Sequence, residues 1–266
     1  MSWPFASTYA GMSFGVGAFR FNVPQGIDQQ GNAQSLTVNA AVLAPRLDFG
    51  LGFYDWIGLQ ISASGAVASG SNIDSALNLG ALFRAEFGGR LIGRIWRGRM
   101  LQIGAAFGGS YAIGKSISPL GVVTELLNSG TLNASTILRD VNEWTIFPEL
   151  MVAFAPISLV GLQSSFTFRF GKTSVAGSDA TTSKEIVWGV GATLDLRRYV
   201  PIALPLVYQL TAALGAESGS DSTAHLLESG VVYSGRRNLD LGVLLATQLQ
   251  SEQKQYTAVF RMYYHW

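Results

Sequence analysis

The sequence predicts an all-β protein, a transmembrane up-and-down antiparallel β-barrel of about twelve strands, and three observations carry that prediction. Apolar residues recur with period 2 in twelve separate segments, the spacing that puts alternate side chains of an extended chain on one face. Only 13% of the 266 residues are charged, against about 25% in soluble domains, and the mean hydropathy is +0.27. No run approaches the roughly 18 to 20 consecutive apolar residues of a membrane helix, so membrane-spanning hydrophobicity must be spread over strands.

In order, the segments are 11–22, 35–53, 56–69, 75–96, 100–113, 143–155, 158–170, 184–197, 204–216, 225–234, 239–250 and 256–266. The fourth sets Leu77, Leu79, Ala81, Phe83, Ala85, Phe87, Leu91 and Ile95 against Asn78, Gly80, Arg84, Glu86, Arg90 and Arg94. In the eighth, Ile186, Trp188, Val190, Ala192, Leu194 and Leu196 oppose Glu185, Thr193, Asp195 and Arg197. The eleventh alternates Leu239, Leu241, Val243, Leu245 and Leu249 with Asp240, Gly242 and Gln248. Apolar parity changes near Phe19 in the first segment and near Ala44-Pro45 in the second. Both changes are read as bulges, where a strand tolerates proline.

Connections alternate as well. Short links fall at Tyr54-Asp55, Arg97-Gly98-Arg99, Ala155-Pro156-Ile157, Arg198 to Ala203 and Ser234 to Asn238, with longer ones at 23–34, 114–142, 171–183 and 217–224. Two modest links, 70–74 and 251–255, break the rhythm. Short turns at one end and longer loops at the other describe a single barrel domain over 1–266, with both termini at the short-turn end. A ring of twelve strands leaves a lumen that needs polar filling or water. The charges therefore belong inside and the apolar face in lipid, where closure satisfies every backbone group.

The last segment places Tyr256, Ala258, Phe260, Met262, Tyr264 and Trp266 on one face, with Thr257, Val259, Arg261, Tyr263 and His265 on the other. A closing strand that ends on an aromatic residue resembles the last strand of Gram-negative outer-membrane β-barrels. The resemblance implies a cell outer membrane location, a bilayer with lipopolysaccharide around the barrel, and recognition of Tyr256 to Trp266 by the barrel-assembly machinery. It makes the short turns periplasmic and the loops extracellular, with 1–10 as an N-terminal periplasmic segment. Met1-Ser-Trp-Pro-Phe has neither a basic nor an apolar leader, so the chain reads as mature, its export signal removed.

Chemistry is sparse. With no cysteine, thiolate metal sites, disulfides and cysteine nucleophiles are excluded, and a net charge of +1 gives no nucleic-acid footprint. Gly11-Met-Ser-Phe-Gly-Val-Gly and Gly189-Val-Gly191 lie within strands and lead into no helix, so they are not phosphate loops. His225, which could pair with Glu228 or a serine of the preceding loop, and His265 at the chain end are poor grounds for a metal site. No cofactor and no catalysis are expected; a hydrolase centred on His225 is the weakest reading. Trp56, Trp96, Trp144, Trp188, Tyr54, Tyr233, Tyr264 and Trp266 fall near strand ends and read as interfacial girdles. In loop 114–142, Ser118-Pro119 opens a short helix with Leu120, Val123, Leu127 and Leu126 as its apolar residues, closed by Asn128-Ser129-Gly130. The loop reads either as a constriction folded into the barrel mouth or as a surface loop that buries an apolar patch on its neighbours or a partner.

What remains is the inward charge set. Arg84, Glu86, Arg90 and Arg94 share a strand, Arg46 and Asp48 lie on the second, Glu143 and Glu149 on the sixth and Arg169 on the seventh. Glu185, Asp195 and Arg197 follow on the eighth, with Asp240 and Arg261 near closure. Expected to line the pore are Arg84, Glu86, Arg90, Arg94, Glu185, Asp195, Arg197, Asp240 and Arg261. They support a passive, porin-like channel for small solutes with an electropositive track from Arg84 to Arg94. In the alternative, the mixed charges pair and plug the lumen of a structural barrel that anchors envelope protein partners through loop 114–142 or the arginine-bearing turns.

Overall fold

Each period-2 segment forms a strand where it is described, residues 75–80, 215–216 and 250 of the expected segments lying outside the described residues, and each of the twelve strands pairs with its neighbours in sequence. They are β1 (Tyr9–Ile27), β2 (Ala33–Phe53), β3 (Ile57–Gly70), β4 (Ala81–Arg97), β5 (Leu101–Ile117) and β6 (Leu138–Ile157), then β7 (Val160–Val175), β8 (Thr181–Asp195), β9 (Ile202–Ala213), β10 (Thr223–Arg236), β11 (Leu239–Leu249) and β12 (Lys254–His265). The computed structural model describes residues 8–27, 33–70, 81–117, 138–175, 179–214, 223–236, 238–249 and 254–266. β1 pairs antiparallel with both β2 and β12, so the sheet closes on itself and leaves no edge. Tyr9 stands opposite His265 in the β1–β12 ladder, which puts the start of β1 and the end of β12 at the short-turn end.

Several strands run further toward the loop end than their apolar alternation does. β1, β2 and β6 have 19, 21 and 20 residues, whereas β9, β11 and β12 have 12, 11 and 12. A tilted strand crosses a bilayer in about 9 to 11 residues, so the long ones continue beyond it, where nothing requires the apolar alternation that marks a strand in sequence. Residues 114–117 and 138–142, read as loop, are therefore strand. The helix read at Ser118-Pro119 lies outside the described residues.

The two bulges inferred from parity are absent. β1 pairs with β2 in unbroken register from Tyr9 to Pro24, and the β2–β3 register is the same on both sides of Ala44-Pro45. The parity break came from composition: Ala40 is buried and Val42 half-buried on the inward face, while Ala41, Leu43, Pro45, Leu47 and Phe49 point outward. Small apolar residues inside imitate a change of face. The register shifts fall at Pro24/Gly26, Arg94/Trp96, Phe154/Ile157 and Tyr233/Arg236.

Outside, the wall is apolar. Phe14, Leu47, Phe49, Ile61, Phe87, Leu91, Phe107, Leu150, Val243 and Phe260 are all exposed, a surface that only lipid can cover without the cost of wetting it. Trp56, Trp96 and Trp266 at the short-turn end and Tyr111, Trp144 and Tyr256 toward the loops also face outward, the placement of interfacial girdles.

One close approach ties β12 to β1. The Tyr263 ring lies directly over Gly11, where a Cβ would overlap it, and the Tyr263 hydroxyl donates to Asp48 Oδ2 at 3.0 Å. Only glycine leaves room for that ring. Replacing Gly11 with alanine is expected to displace Tyr263 and lower stability by about 1–3 kcal/mol, the range for overpacking, measured by urea unfolding of the refolded barrel in micelles.

Candidate functional site: the barrel lumen

The inward faces of all twelve strands meet in one cavity of about 660 Å³. Its wall carries Arg46 and Asp48 from β2, Arg84, Glu86 and Arg90 from β4, Glu143 and Glu149 from β6, Arg169 from β7, Glu185 from β8, Glu228 from β10 and Arg261 from β12. Alternation gathers them there: each occupies the parity opposite the lipid-facing aliphatic and aromatic residues of its own strand. A smaller recess of about 260 Å³ adjoins Arg46 and Arg84, against a wall of Ser13, Gly15, Ala44, Ser64 and Ala66. Such residues leave space where bulkier ones would fill it.

Toward the short turns buried apolar side chains line the lumen. Ile92, Ala106 and Met151, on adjacent β4, β5 and β6, pack into an apolar cluster at 0%, 7% and 2% exposure. Tyr9, Val232 and Leu244 bury the same end from other strands. Together they form an apolar layer at the short-turn side of the cavity, its floor.

Immediately above that floor the charges pair tightly. Arg90 Nη1 donates to Glu149 Oε2 at 2.5 Å and Arg90 Nε to Gln60 Oε1 at 2.7 Å, with the two ionic side chains only 13% and 8% exposed. Gly108 makes room for this, since a Cβ there would come within 2.6 Å of the Arg90 Cβ and 2.9 Å of the Phe147 ring. Asp48 accepts from Arg46 Nε and Nη2 at 2.9 and 2.8 Å as well as from Tyr263. Higher up, Arg84 bridges Glu86 and Glu143, each at 3.1 Å, with its side chain open to the cavity.

Of the nine residues expected to line a pore, Arg84, Glu86, Arg90, Glu185 and Arg261 come together on this cavity. Arg94, Asp195, Arg197 and Asp240 do not. Arg94 lies two residues below Ile92 on β4. Asp195 ends β8 and holds Arg197, in the turn that follows, through a fork with Nε at 2.8 Å and Nη2 at 2.5 Å. Those hydrogen bonds push the Arg197 guanidinium pKa up. Asp240 sits 3.5 Å from His265 Nε2 near the short-turn rim. The Arg84 to Arg94 track is therefore cut by the floor: Arg84 and Arg90 lie above Ile92 and Arg94 below it.

His225 faces outward, its Nδ1 2.6 Å from the Tyr208 hydroxyl, while Glu228 three residues on faces the lumen. Opposite parity rules out the expected His225–Glu228 pair. Tyr9, Gln60 and Gln209 line the cavity without having been expected there, and so does Glu228, read only as a partner for His225. Their inward parity is present in the sequence, but isolated polar residues form no ladder of charge that separates them from ordinary strand positions.

The Arg90–Glu149 pair yields a stability test. Glu149→Ala strands a buried guanidinium and is expected to cost about 3–5 kcal/mol, whereas joint replacement with Arg90→Met and Glu149→Leu restores most of it. A double-mutant cycle by denaturant titration in micelles measures the coupling.

No family model matches the sequence, and no curated protein matches it. Solved structures do. The translocator domain of the autotransporter NalP from Neisseria meningitidis superposes with a TM-score of 0.64 at 8% identity, covering 98% of this chain and 88% of that one. The transport unit of the autotransporter AIDA-I from Escherichia coli gives 0.59 at 8%, covering 100% and 93%. An outer-membrane channel from Pseudomonas putida F1 gives 0.59 at 11%, covering 100% and 97%. At such identities the likeness is one of fold: this chain is a closed antiparallel β-barrel of twelve strands, similar in architecture to those outer-membrane proteins.

Proposed function

We propose that the protein is a narrow, porin-like channel of the Gram-negative outer membrane that passes small polar solutes through its charged lumen. One observation carries the reading: a polar cavity of about 660 Å³ walled by all twelve strands, a volume within the range that holds small-molecule ligands. A barrel built only as an anchor gains nothing from charges left open to the cavity, because buried ionic groups cost free energy unless compensated. Arg84, Glu86, Glu185 and Arg261 are the residues assigned to solute contact, with Arg90 held against the floor by Glu149. No step here calls for a cofactor or for catalysis.

The surroundings follow from the same assignment. Lys172 and Lys184 lie on adjacent β7 and β8 on the outward face, with Trp144 opposite Lys172 in the β6–β7 ladder. Cations just beyond an aromatic girdle suit the phosphates of an outer leaflet containing lipopolysaccharide. Recognition of β12 by the assembly machinery belongs to the same proposal.

The apolar floor favours a second reading, a sealed barrel whose paired charges hold the lumen together while its rims bind envelope partners. Conductance of the refolded protein in a planar bilayer separates the two. The channel reading expects small, steady currents that rise several-fold when Ile92→Ala and Met151→Ala thin the floor. It also expects a shift toward cations in Arg84→Ala, which leaves Glu86 and Glu143 without their guanidinium. A heat-modifiable barrel silent both as wild type and with the floor thinned would favour the sealed barrel.

A further inference from the structure

We infer that the lumen binds solutes carrying both a carboxylate and an ammonium group, amino acids or short peptides, between Arg261 and Glu228; this rests on the channel reading above and names its solute class. Internal pairing leaves a remainder. Among the described residues, Asp48 is held by Arg46, Glu149 by Arg90, and Glu86 and Glu143 by Arg84. Arg169, Glu185, Glu228 and Arg261 line the same cavity without an ion pair.

The remainder has two positive and two negative charges, and their places differ. Arg169 and Glu185 face each other across the β7–β8 ladder, so a side-chain rotation lets them satisfy one another. Glu228 and Arg261 cannot. Glu228 is level with Ala246 of β11, and Ala246 with Thr257 of β12. Arg261 is two strands away and four residues nearer the floor, a separation of about 13 Å along the strand and 9–10 Å across it. Gly242 on β11 stands opposite Arg261 in the ladder and puts no side chain there, the position of its absent Cβ lying 3.3 Å from Arg261 Nε, while the inward Leu244 of the same strand lies between the levels of Arg261 and Glu228. That Nε is buried with no protein acceptor among the described residues.

A lone cation or anion satisfies one of these groups and is repelled by the other. A neutral solute satisfies neither. A molecule with opposite charges at its two ends can place its carboxylate on Arg261 and its ammonium on Glu228, forming charge-assisted hydrogen bonds at both ends where the lumen is narrow and part-buried. Net charge does not bias the site, because the wall charges nearly cancel; the separation of sign selects.

Titration calorimetry on the full-length refolded protein tests this with glycylglycine, its N-acetyl derivative, its C-terminal amide and the doubly capped neutral form. Glycylglycine is expected to bind at least tenfold more tightly than any capped form. Arg261→Gln should bring it level with the amide, and Glu228→Gln level with the N-acetyl derivative. Equal binding of all four compounds, or unchanged ratios in both variants, overturns the inference. Bilayer current from the same preparations keeps the two failures apart: current without discrimination sinks this solute class and leaves the channel, whereas discrimination without current keeps the site and sinks the channel.

Discussion

The wall of this barrel must satisfy all of its backbone hydrogen bonds internally, because its outer face offers lipid and no water. That constraint forces closure of the sheet, and closure at twelve strands sets everything inside. A ring of eight strands is filled by its own side chains, while one of twelve encloses more than they fill automatically. The sequence must either pack the excess volume or leave it to water. Both solutions occur here, stacked along the axis: an apolar cluster around Ile92, Ala106 and Met151 toward the short turns, and a charged cavity above it.

That stacking makes chemically similar ion pairs unequal. Arg90–Glu149 lies next to the packed layer, where both side chains have lost most of their water and each depends on the other. Arg84 keeps 44% of its side-chain exposure between Glu86 and Glu143, so water screens its pairing and its removal costs little stability. The lower pair serves the integrity of the barrel. In the proposed channel the upper one shapes the electrostatics that a solute meets, so on that reading the mixed charges are neither wholly plug nor wholly pore lining.

The sequence disclosed the outer surface far better than the inner one. Wherever lipid is the neighbour, the requirement is uniform and each strand repeats it, so β4, β8, β11 and β12 could be read directly from their aliphatic and aromatic parity. The lumen imposes no uniform demand. Ala40 and Val42 point inward and suggested a bulge that does not exist, and Ile92 sits between Arg90 and Arg94 on the inward face as the best-buried side chain of the floor. Apolar residues on a polar face read as noise until packing shows them touching across strands. Pairing was equally invisible: Arg90 finds Glu149 from 59 positions away, while Asp195 and Arg197, expected in the pore, satisfy each other at the rim within two residues.

Fold likeness to autotransporter units and to channels carries no choice of function, since one barrel architecture serves both. The axis of the lumen has to decide. In the proposed channel, charges above the floor select the solutes, while the width and wetting of the Ile92–Met151 layer set whether anything continues to the short-turn side, as apolar constrictions can close a path without any bulky plug. On that proposal selectivity and passage reside in different residues at different heights. Such a division permits the floor to vary in tightness while the charged cavity keeps its preference, and it makes the apolar cluster, with no charge of its own, the part on which the proposed transport depends.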